Sequence, residues 1–188
     1  MVLRGARGGW YQRGMLNGER VRLRALEPGD ASALHRWHGD AEVTRWLDTS
    51  YPESLAQLAR RSEERVANSY TRTVLAIETR DEERLIGVLA LRDVSPESGS
   101  GEVDLYIGEK DAWGRGFGSD ALRTLCRFAF DQMRLHSVAL WVAAPNAGAI
   151  RCYEKVGFRV DGRQREAFRR DGEWHDMLLM TVLEGELR

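Results

Sequence analysis

The stretch from Trp113 to Ser119 carries the clearest chemical signal in the chain. It reads Trp-Gly-Arg-Gly-Phe-Gly-Ser, with glycines at alternate positions. Because glycine has no Cβ, the backbone can turn sharply there and bring its N–H groups close to a ligand. An apolar strand pattern precedes the stretch and an amphipathic helix pattern follows it. The N–H groups are therefore expected at a helix N-terminus, where the dipole favours negative charge, and Arg115 adds a cation. The pattern favours a phosphate or pyrophosphate site over a simple tight turn.

The elements that must hold this loop follow from hydrophobic periodicity and from turn residues. Strands are predicted at 19–26, 73–78, 85–92, 102–108, 138–143, 159–168 and 174–183. Helices are predicted from about residue 31, at 54–67, at 119–133 and at 147–156, with a further short helix that holds Val43, Trp46 and Leu47. Gly157 is expected to end the helix at 147–156 as its C-cap. The sequence contains no internal repeat and no low-complexity linker.

This order of elements predicts one α/β domain of the α+β kind. Its sheet is mixed and mostly antiparallel, and becomes parallel around one crossover helix. A doubly wound dinucleotide fold would place the glycine loop near its start and would alternate strands with helices throughout. Here the loop comes after a meander, past the middle of the chain. It also lacks the Lys-Ser/Thr ending of a P-loop.

Composition limits the classes of protein further. The 188 residues are 43% hydrophobic and 30% charged, which is typical of a globular domain. A net charge of −1 argues against a nucleic-acid partner, and no apolar run is long enough to span a membrane. The two cysteines, Cys126 and Cys152, lie in helical patterns, so buried free thiols in the cytoplasm are expected. The four histidines form no metal-binding spacing.

The chain divides unevenly. Residues 1–15 are rich in Gly and Arg and have no apolar core segment, so they are expected to be a flexible N-terminal extension rather than a secretory signal. Residues 16–188 are expected to form the domain.

Four segments together resemble the GNAT superfamily of N-acetyltransferases, and the resemblance runs from about residue 17 to residue 184. The segments are 18–24, 101–108, 113–121 and 146–158. The last, Asn-Ala-Gly-Ala-Ile-Arg-Cys-Tyr-Glu-Lys-Val-Gly-Phe, is the most specific at this distance after a glycine loop. The opening segment and residues 172–176 are similar to the branch that acetylates ribosomal-protein N-termini, and to its polyamine and antibiotic relatives.

The resemblance implies that acetyl-CoA binds in a V-shaped gap where the two central parallel strands splay, between strands 102–107 and 138–143. The pantetheine arm would pair with the backbone of Leu105, Tyr106 and Ile107. The pyrophosphate would lie on the N–H groups of the loop. Asn146 is expected to tie the splayed strand to the cofactor or to cap a helix, and Arg151 to meet a phosphate or to face solvent. The implied loop residues are Gly114, Arg115, Gly116, Phe117, Gly118 and Ser119.

The chain departs from the usual family pattern at two positions. Trp113 stands where a Gln or Arg is usual, which weakens the motif more than it weakens the cofactor assignment. Ala149 stands where a Ser is common, so a hydroxyl contact to the cofactor is lost there.

Acetyl transfer to an amine needs a group that removes a proton, because an amine is mostly protonated at neutral pH. By its family position, Glu102 is the predicted base and acts through water, with Asp104 on the same sheet face in reserve. The alternative is that Glu102 is an exposed strand residue. Tyr153 is the predicted acid that protonates the departing CoA thiolate. Its alternative is an aromatic side chain that packs the short helix onto the sheet.

The predicted function is therefore acetyl-CoA-dependent N-acetylation of a primary amine by direct attack. The acceptor is a protein N-terminus or a small-molecule amine, and the sequence does not decide between them. One alternative is a CoA-binding sensor or partner subunit without catalysis, and another is a nucleotide-binding protein of a different fold. A homodimer is a family-level expectation. Candidate acceptor contacts are Trp37, Glu42, Trp46, Asp48, Trp174, His175 and Asp176.

Overall fold

A computed structural model describes residues 11–12, 14–48, 51–64 and 67–188. The strands are β1 (Tyr11–Gln12), β2 (Met15–Asn17), β3 (Val21–Ala25), β4 (Thr73–Thr79), β5 (Leu85–Ser95), β6 (Ser100–Ile107), β7 (Ser137–Ala143), β8 (Arg159–Arg170) and β9 (Glu173–Leu183). The α-helices are α1 (Ala31–His38), α2 (Leu55–Glu63), α3 (Phe117–Asp131) and α4 (Ala147–Val156). Single 3₁₀ turns lie at Pro28–Asp30, Lys110–Ala112 and Glu184–Glu186.

Within these residues the strands form one nine-stranded sheet in the order β1-β2-β3-β4-β5-β6-β7-β9-β8. Neighbouring strands are antiparallel everywhere except between β6 and β7, which are parallel. The predicted mixed, mostly antiparallel sheet is confirmed. Helix α3 makes the crossover between the two parallel strands, as a parallel connection requires.

The sheet carries a hydrophobic core on each face. The larger core lies under α3 and α4, where Leu122, Leu125 and Cys126 are fully buried. The smaller one lies under α1 and α2, around Trp37 and Leu58. Strand β6 contributes to both cores because its side chains alternate between the faces. We call the face under α3 and α4, where the cofactor is expected, the cofactor face, and the opposite face the acceptor face.

Three predicted helices differ from the structure. The helix predicted at 119–133 is α3, which begins and ends two residues earlier. The short helix around Val43, Trp46 and Leu47 is wrong, because residues 41–47 form turns and bends. The carboxylate of Asp40 accepts a hydrogen bond from the amide of Glu42 at 2.9 Å, and the Asp40 carbonyl accepts one from the amide of Thr44 at 3.0 Å, so one turn closes but does not continue into a helix. The helix predicted at 54–67 ends at Glu63 and is capped by Ser54. Residues 65–66 lie outside the described residues.

The N-terminal segment begins the sheet earlier than residue 16. Tyr11 and Gln12 pair with Leu16 and Met15 in an antiparallel turn. Residues 1–10 and residue 13 lie outside the described residues, so the division into 1–15 and 16–188 stays a prediction.

Asp120 fastens the start of β3 to the first turn of α3. Its buried carboxylate accepts hydrogen bonds from the backbone amides of Glu19, Arg20 and Val21, at 3.2, 2.8 and 3.0 Å. A Cβ on Gly18 would lie 2.5 Å from this carboxylate, so the approach requires a glycine. Asp120 therefore holds α3, the helix that follows the glycine loop, to the start of β3.

Candidate active site

A gap opens between β6 and β7. Their parallel pairing is limited to three residue pairs, from Ser100 with Ser137 to Glu102 with Ala139. Beyond that point β6 remains paired with β5, while β7 runs on to Ala143 paired with β9. The facing edges of β6 and β7 therefore separate from Val103 onward, and the predicted splayed strands are confirmed.

The glycine loop enters α3 as the sequence predicts. Gly114 and Gly116 have φ values of +71° and +85°, in the left-handed region that favours glycine, and Gly116 is the N-cap of α3. The amide of Asp120 makes the first bond of the helix, to Gly116. Among the described residues nothing accepts from the amides of Phe117, Gly118 or Ser119. These three donors are the free groups of a helix N-terminus and can bind an anion.

Gly118 lies between α4 and β6. A Cβ on this residue would enter the space between Cys152 Sγ, 3.4 Å away, and Leu105 Cδ2, 3.7 Å away. The Ser119 hydroxyl instead faces α4, 3.2 Å from Cys152 Sγ. Ser119 therefore offers its backbone amide to the loop, not its side chain.

The backbone of β6 is oriented for an added strand. The amide of Gly108 bonds to the carbonyl of Ile86 in β5 at 2.8 Å. Because successive residues present their peptide groups to alternate edges of a strand, those of Leu105 and Ile107 point into the gap, and that of Tyr106 points to β5. Of the three residues predicted to pair with the cofactor, Leu105 and Ile107 thus direct peptide groups into the gap, and Tyr106 does not.

Trp113 ties the loop to the end of this strand. Its indole Nε1 donates to the carbonyl oxygen of Ile107 at 2.8 Å, and its side chain is 39% exposed. The sequence marks Trp113 only as a departure from the family pattern and does not predict this bond. The Ile107 carbonyl is thereby bonded within the chain, while the Leu105 peptide group stays available.

Asn146 caps α4. Its side-chain oxygen accepts from the amide of Ala149 at 3.2 Å, and its own amide donates to Ala143 at 2.8 Å, at the end of β7. Of the two predicted interpretations the structure shows the cap. Gly157 ends α4 in the left-handed conformation, also as predicted. Arg151 is exposed on the same helix.

Glu102 lies at the closed end of the gap on the acceptor face, with 21% of its side chain exposed. It forms an ion pair with Arg92, and Arg92 also holds Asp104. Burial raises the pKa of Glu102 above its ordinary value; Arg92 opposes this effect, and Asp104 and Asp93 add to it. A carboxyl group with a raised pKa is a stronger base than an ordinary one once it has lost its proton.

Tyr153 packs on the cofactor face against Phe158, with 8% of its surface exposed. Among the described residues nothing hydrogen-bonds to its hydroxyl. Burial raises the pKa of Tyr153, and the charges of Cys152 and Asp104 raise it further. The phenol therefore keeps its proton at neutral pH.

Helix α1 and the final hairpin flank the acceptor face. Trp37 packs directly over Gly108, where a Cβ would lie 2.0 Å from the indole ring. Tyr106 Oη lies 3.3 Å from His38 Nε2. Further along, the ring of Trp46 contacts that of His175, with centroids 5.6 Å apart. Of the candidate acceptor contacts, Trp46 and His175 are thus brought together, whereas Trp174 is 58% exposed.

The donor set fits acetyl-CoA. Free amides at a helix N-terminus suit its pyrophosphate, and the unpaired edge of β6 suits the amide groups of its pantetheine arm. Within the described ranges no cluster of three or more His, Cys, Asp or Glu side chains could hold a metal ion. No described helix is long and apolar enough to cross a membrane.

Comparison with known proteins gives the same family as the sequence motifs. The model of the acetyltransferase (GNAT) domain matches residues 20–159. An uncharacterized N-acetyltransferase, p20 of Bacillus licheniformis, is 26% identical and aligns over 89% of this chain and 95% of its own. The spermidine N(1)-acetyltransferase of Vibrio cholerae is 26% identical over 87% of this chain and 93% of its own.

A solved structure shows the same fold. The spermidine N-acetyltransferase of Vibrio cholerae in complex with CoA and spermine superposes with a TM-score of 0.79 at 24% identity, over 89% of this chain and 97% of that one. YdaF of Bacillus subtilis, whose name proposes a ribosomal N-acetyltransferase, is 25% identical over 89% of this chain and 93% of its own.

Proposed function

Because the chain belongs to the GNAT acetyltransferases, we propose that it transfers the acetyl group of acetyl-CoA to a primary amine by direct attack, with Glu102 as base and Tyr153 as acid. The observation that carries this proposal is the gap between β6 and β7. The gap lies between three unbonded amides at the start of α3 and the open edge of β6. Glu102 lies on one face of the sheet and Tyr153 on the other.

Different residues of the chain bind different parts of acetyl-CoA. The amides of Phe117, Gly118 and Ser119 bind the pyrophosphate, with Gly114, Gly116 and Arg115 shaping the loop. The peptide group of Leu105 and the amide of Ile107 align the pantetheine arm. Asn146 holds the start of α4, and exposed Arg151 is available to a phosphate. Acetyl-CoA supplies an acyl group that is already activated as a thioester.

Glu102 takes the proton of the acceptor ammonium through water, since only the neutral amine is nucleophilic. As the C–S bond of the tetrahedral intermediate breaks, Tyr153 gives its proton to the leaving sulfur. The second proton of the attacking nitrogen then passes through water and restores the phenol of Tyr153. No side chain is required to carry the acetyl group, so the reaction needs no acyl-enzyme.

The acceptor face supports a cationic acceptor. Asp93, Glu102 and Asp104 surround the single guanidinium of Arg92, so this cluster retains a surplus of negative charge that attracts an ammonium ion. The names of the Vibrio cholerae and Bacillus subtilis relatives support two acceptor classes, spermidine-like polyamines and a ribosomal acceptor. We propose a primary amine of either class.

The test is release of free CoA thiol from acetyl-CoA in the presence of N-terminal peptides, polyamines and aminoglycosides. We expect turnover with at least one amine, a fall in kcat of about a hundredfold in Glu102→Gln, and unchanged CoA binding by calorimetry in that variant. Intact-protein mass spectrometry should detect no acetylated enzyme intermediate. CoA binding without turnover of any amine would instead indicate a sensor or partner subunit. Stabilisation by ATP or NAD but not by CoA would indicate a different nucleotide-binding function.

A further inference from the structure

Arg92 occupies a position from which it can hold two carboxylates at once. It lies on β5 directly opposite Glu102, while its neighbour two residues back, Ala90, lies opposite Asp104. On one face of an antiparallel pair, direct and diagonal partners are both within reach of a long side chain. The guanidinium uses this geometry: Nη2 donates to Glu102, and Nε donates to Asp104 Oδ2.

A β-bulge immediately after Arg92 brings a third carboxylate to its guanidinium. The register between β5 and β6 shifts between Arg92 and Ser95, immediately after the pair that Arg92 forms with Glu102. Within the bulge Asp93 has a φ of +50°, in the left-handed region that a non-glycine residue rarely adopts. Its carboxylate accepts from Arg92 Nη1. Bulges commonly redirect side chains beside functional sites, and this one adds a third carboxylate to the same guanidinium.

The charges of the three carboxylates explain why an arginine suits this position. Three carboxylates surround one cation. Without Arg92 the carboxylates of Glu102 and Asp104, which are two residues apart on the same face of β6, would repel each other. Arginine presents donors in a fixed planar fork and can bridge two carboxylates, whereas the lysine ammonium is a point charge on a flexible stem. Arg92 stays charged, because Asp104, Asp93 and Glu102 all raise its pKa.

We infer that Arg92 is a positioning residue of the acceptor site, one that fixes Glu102 and Asp104 side by side on the acceptor face and sets how readily Glu102 accepts a proton. The part that concerns catalysis depends on the proposed function, whereas the part that concerns the Glu102 carboxylate does not. The charged groups around Glu102 are Arg92 and Asp93 from β5 and Asp104 from β6. Its partner on β7, Ala139, has no charge.

The first test follows the Glu102 carboxyl by ¹³C NMR against pH, with its signal assigned by Glu102→Gln. In Arg92→Gln the midpoint of the Glu102 titration should rise by about one pH unit, because a stabilising cation is lost and two repelling carboxylates remain. Arg92→Lys should shift it less. Arg159→Gln, which removes an ion pair between the start of β8 and Glu186 in the C-terminal 3₁₀ turn, is the matched control and should leave the midpoint unchanged. This readout works whether or not the protein acetylates amines.

The second test compares kcat of Arg92→Gln with that of the wild-type protein at each pH, so that protonation of the acceptor cancels. The ratio should fall about tenfold on the acid side and recover at alkaline pH, with circular dichroism confirming that the variant is folded. An unchanged Glu102 midpoint would overturn the inference, and so would a ratio that is constant across pH. Failure of the wild-type protein to acetylate any amine would overturn the proposed function alone, since the NMR result would still decide the role of Arg92.

Discussion

The indole of Trp113 and the carbonyl oxygen of Ile107 are joined by a hydrogen bond of 2.8 Å, which fastens the glycine loop to the last residue of β6. Ile107 is also the last residue of β6 whose peptide group points into the gap. The bond therefore links the two parts of the proposed cofactor site, the anion-binding amides and the strand edge.

Replacing Trp113 by Phe should weaken CoA binding. The variant keeps an aromatic ring but loses the donor to Ile107, and one such bond contributes about 1 kcal/mol. We expect the Kd for CoA, measured by calorimetry, to rise about fivefold with little change in kcat. Trp174→Phe, on an exposed hairpin residue, is the control. Equal CoA affinity in the two variants would show that the bond does not shape the site.

Gly116→Ala should damage the loop itself. Its φ of +85° costs an alanine about 1–2 kcal/mol, so the loop must relax away from the conformation that exposes the amides of α3. We expect CoA to stabilise the variant less than the wild-type protein in a thermal-shift assay. Gly29→Ala is the control, because a Cβ there meets no atom within 4 Å. A full CoA-induced shift in Gly116→Ala would contradict the proposed pyrophosphate site.

Asn146 offers a prediction about how α4 is held. Removing an N-cap side chain costs about 1 kcal/mol, so Asn146→Ala should lower the free energy of unfolding by that amount in urea titrations. Asn146→Asp can accept the same bond from Ala149 and should retain the stability. Equal stability of all three proteins would show that the cap is not what this residue provides.

The elements that the sequence predicts best are those with strong local signals. Helix α4 has the predicted bounds because Asn146 starts it and Gly157 ends it, and α3 follows from its apolar spacing. The turns at 41–47 are missed because a single turn, closed by the bond from the Thr44 amide to the Asp40 carbonyl, does not continue into a helix. Periodicity in so short a segment does not show where a turn stops.

The interactions that organise the site are not local, and for that reason the sequence does not reveal them. The bond between Trp113 and Ile107 depends on how the loop folds back over β6. The Arg92 cluster depends on a cross-strand register and on a bulge. The sequence pattern predicts the strand that carries Glu102, and the resemblance predicts its role as base. Neither predicts its ion pair with Arg92.

Asp120 is another such interaction, and it makes a prediction about stability. Asp120→Asn should lower the free energy of unfolding by about 2–3 kcal/mol, because the buried side chain loses its charge and one acceptor oxygen opposite three backbone amides. Chemical denaturation measures the change. Asp131→Asn, an exposed residue in the last turn of the same helix, should stay close to the wild-type value. A similar effect in the two variants would mean that the anchor to β3 contributes little.

Tyr153 makes the most direct prediction about chemistry. Tyr153→Phe keeps the ring that packs against Phe158 and removes only the hydroxyl, so folding and CoA affinity should be preserved while kcat falls about a hundredfold. Because burial raises the pKa of Tyr153, the phenol keeps its proton above its ordinary value near 10. Between pH 7 and about pH 10, deprotonation of Tyr153 should therefore cause no loss of the wild-type rate. The pH profiles of the wild-type protein and of Tyr153→Phe should have the same shape in this range. A rate in Tyr153→Phe equal to that of the wild-type protein would leave this residue with a packing role alone, and the proton for the leaving sulfur would then come from solvent.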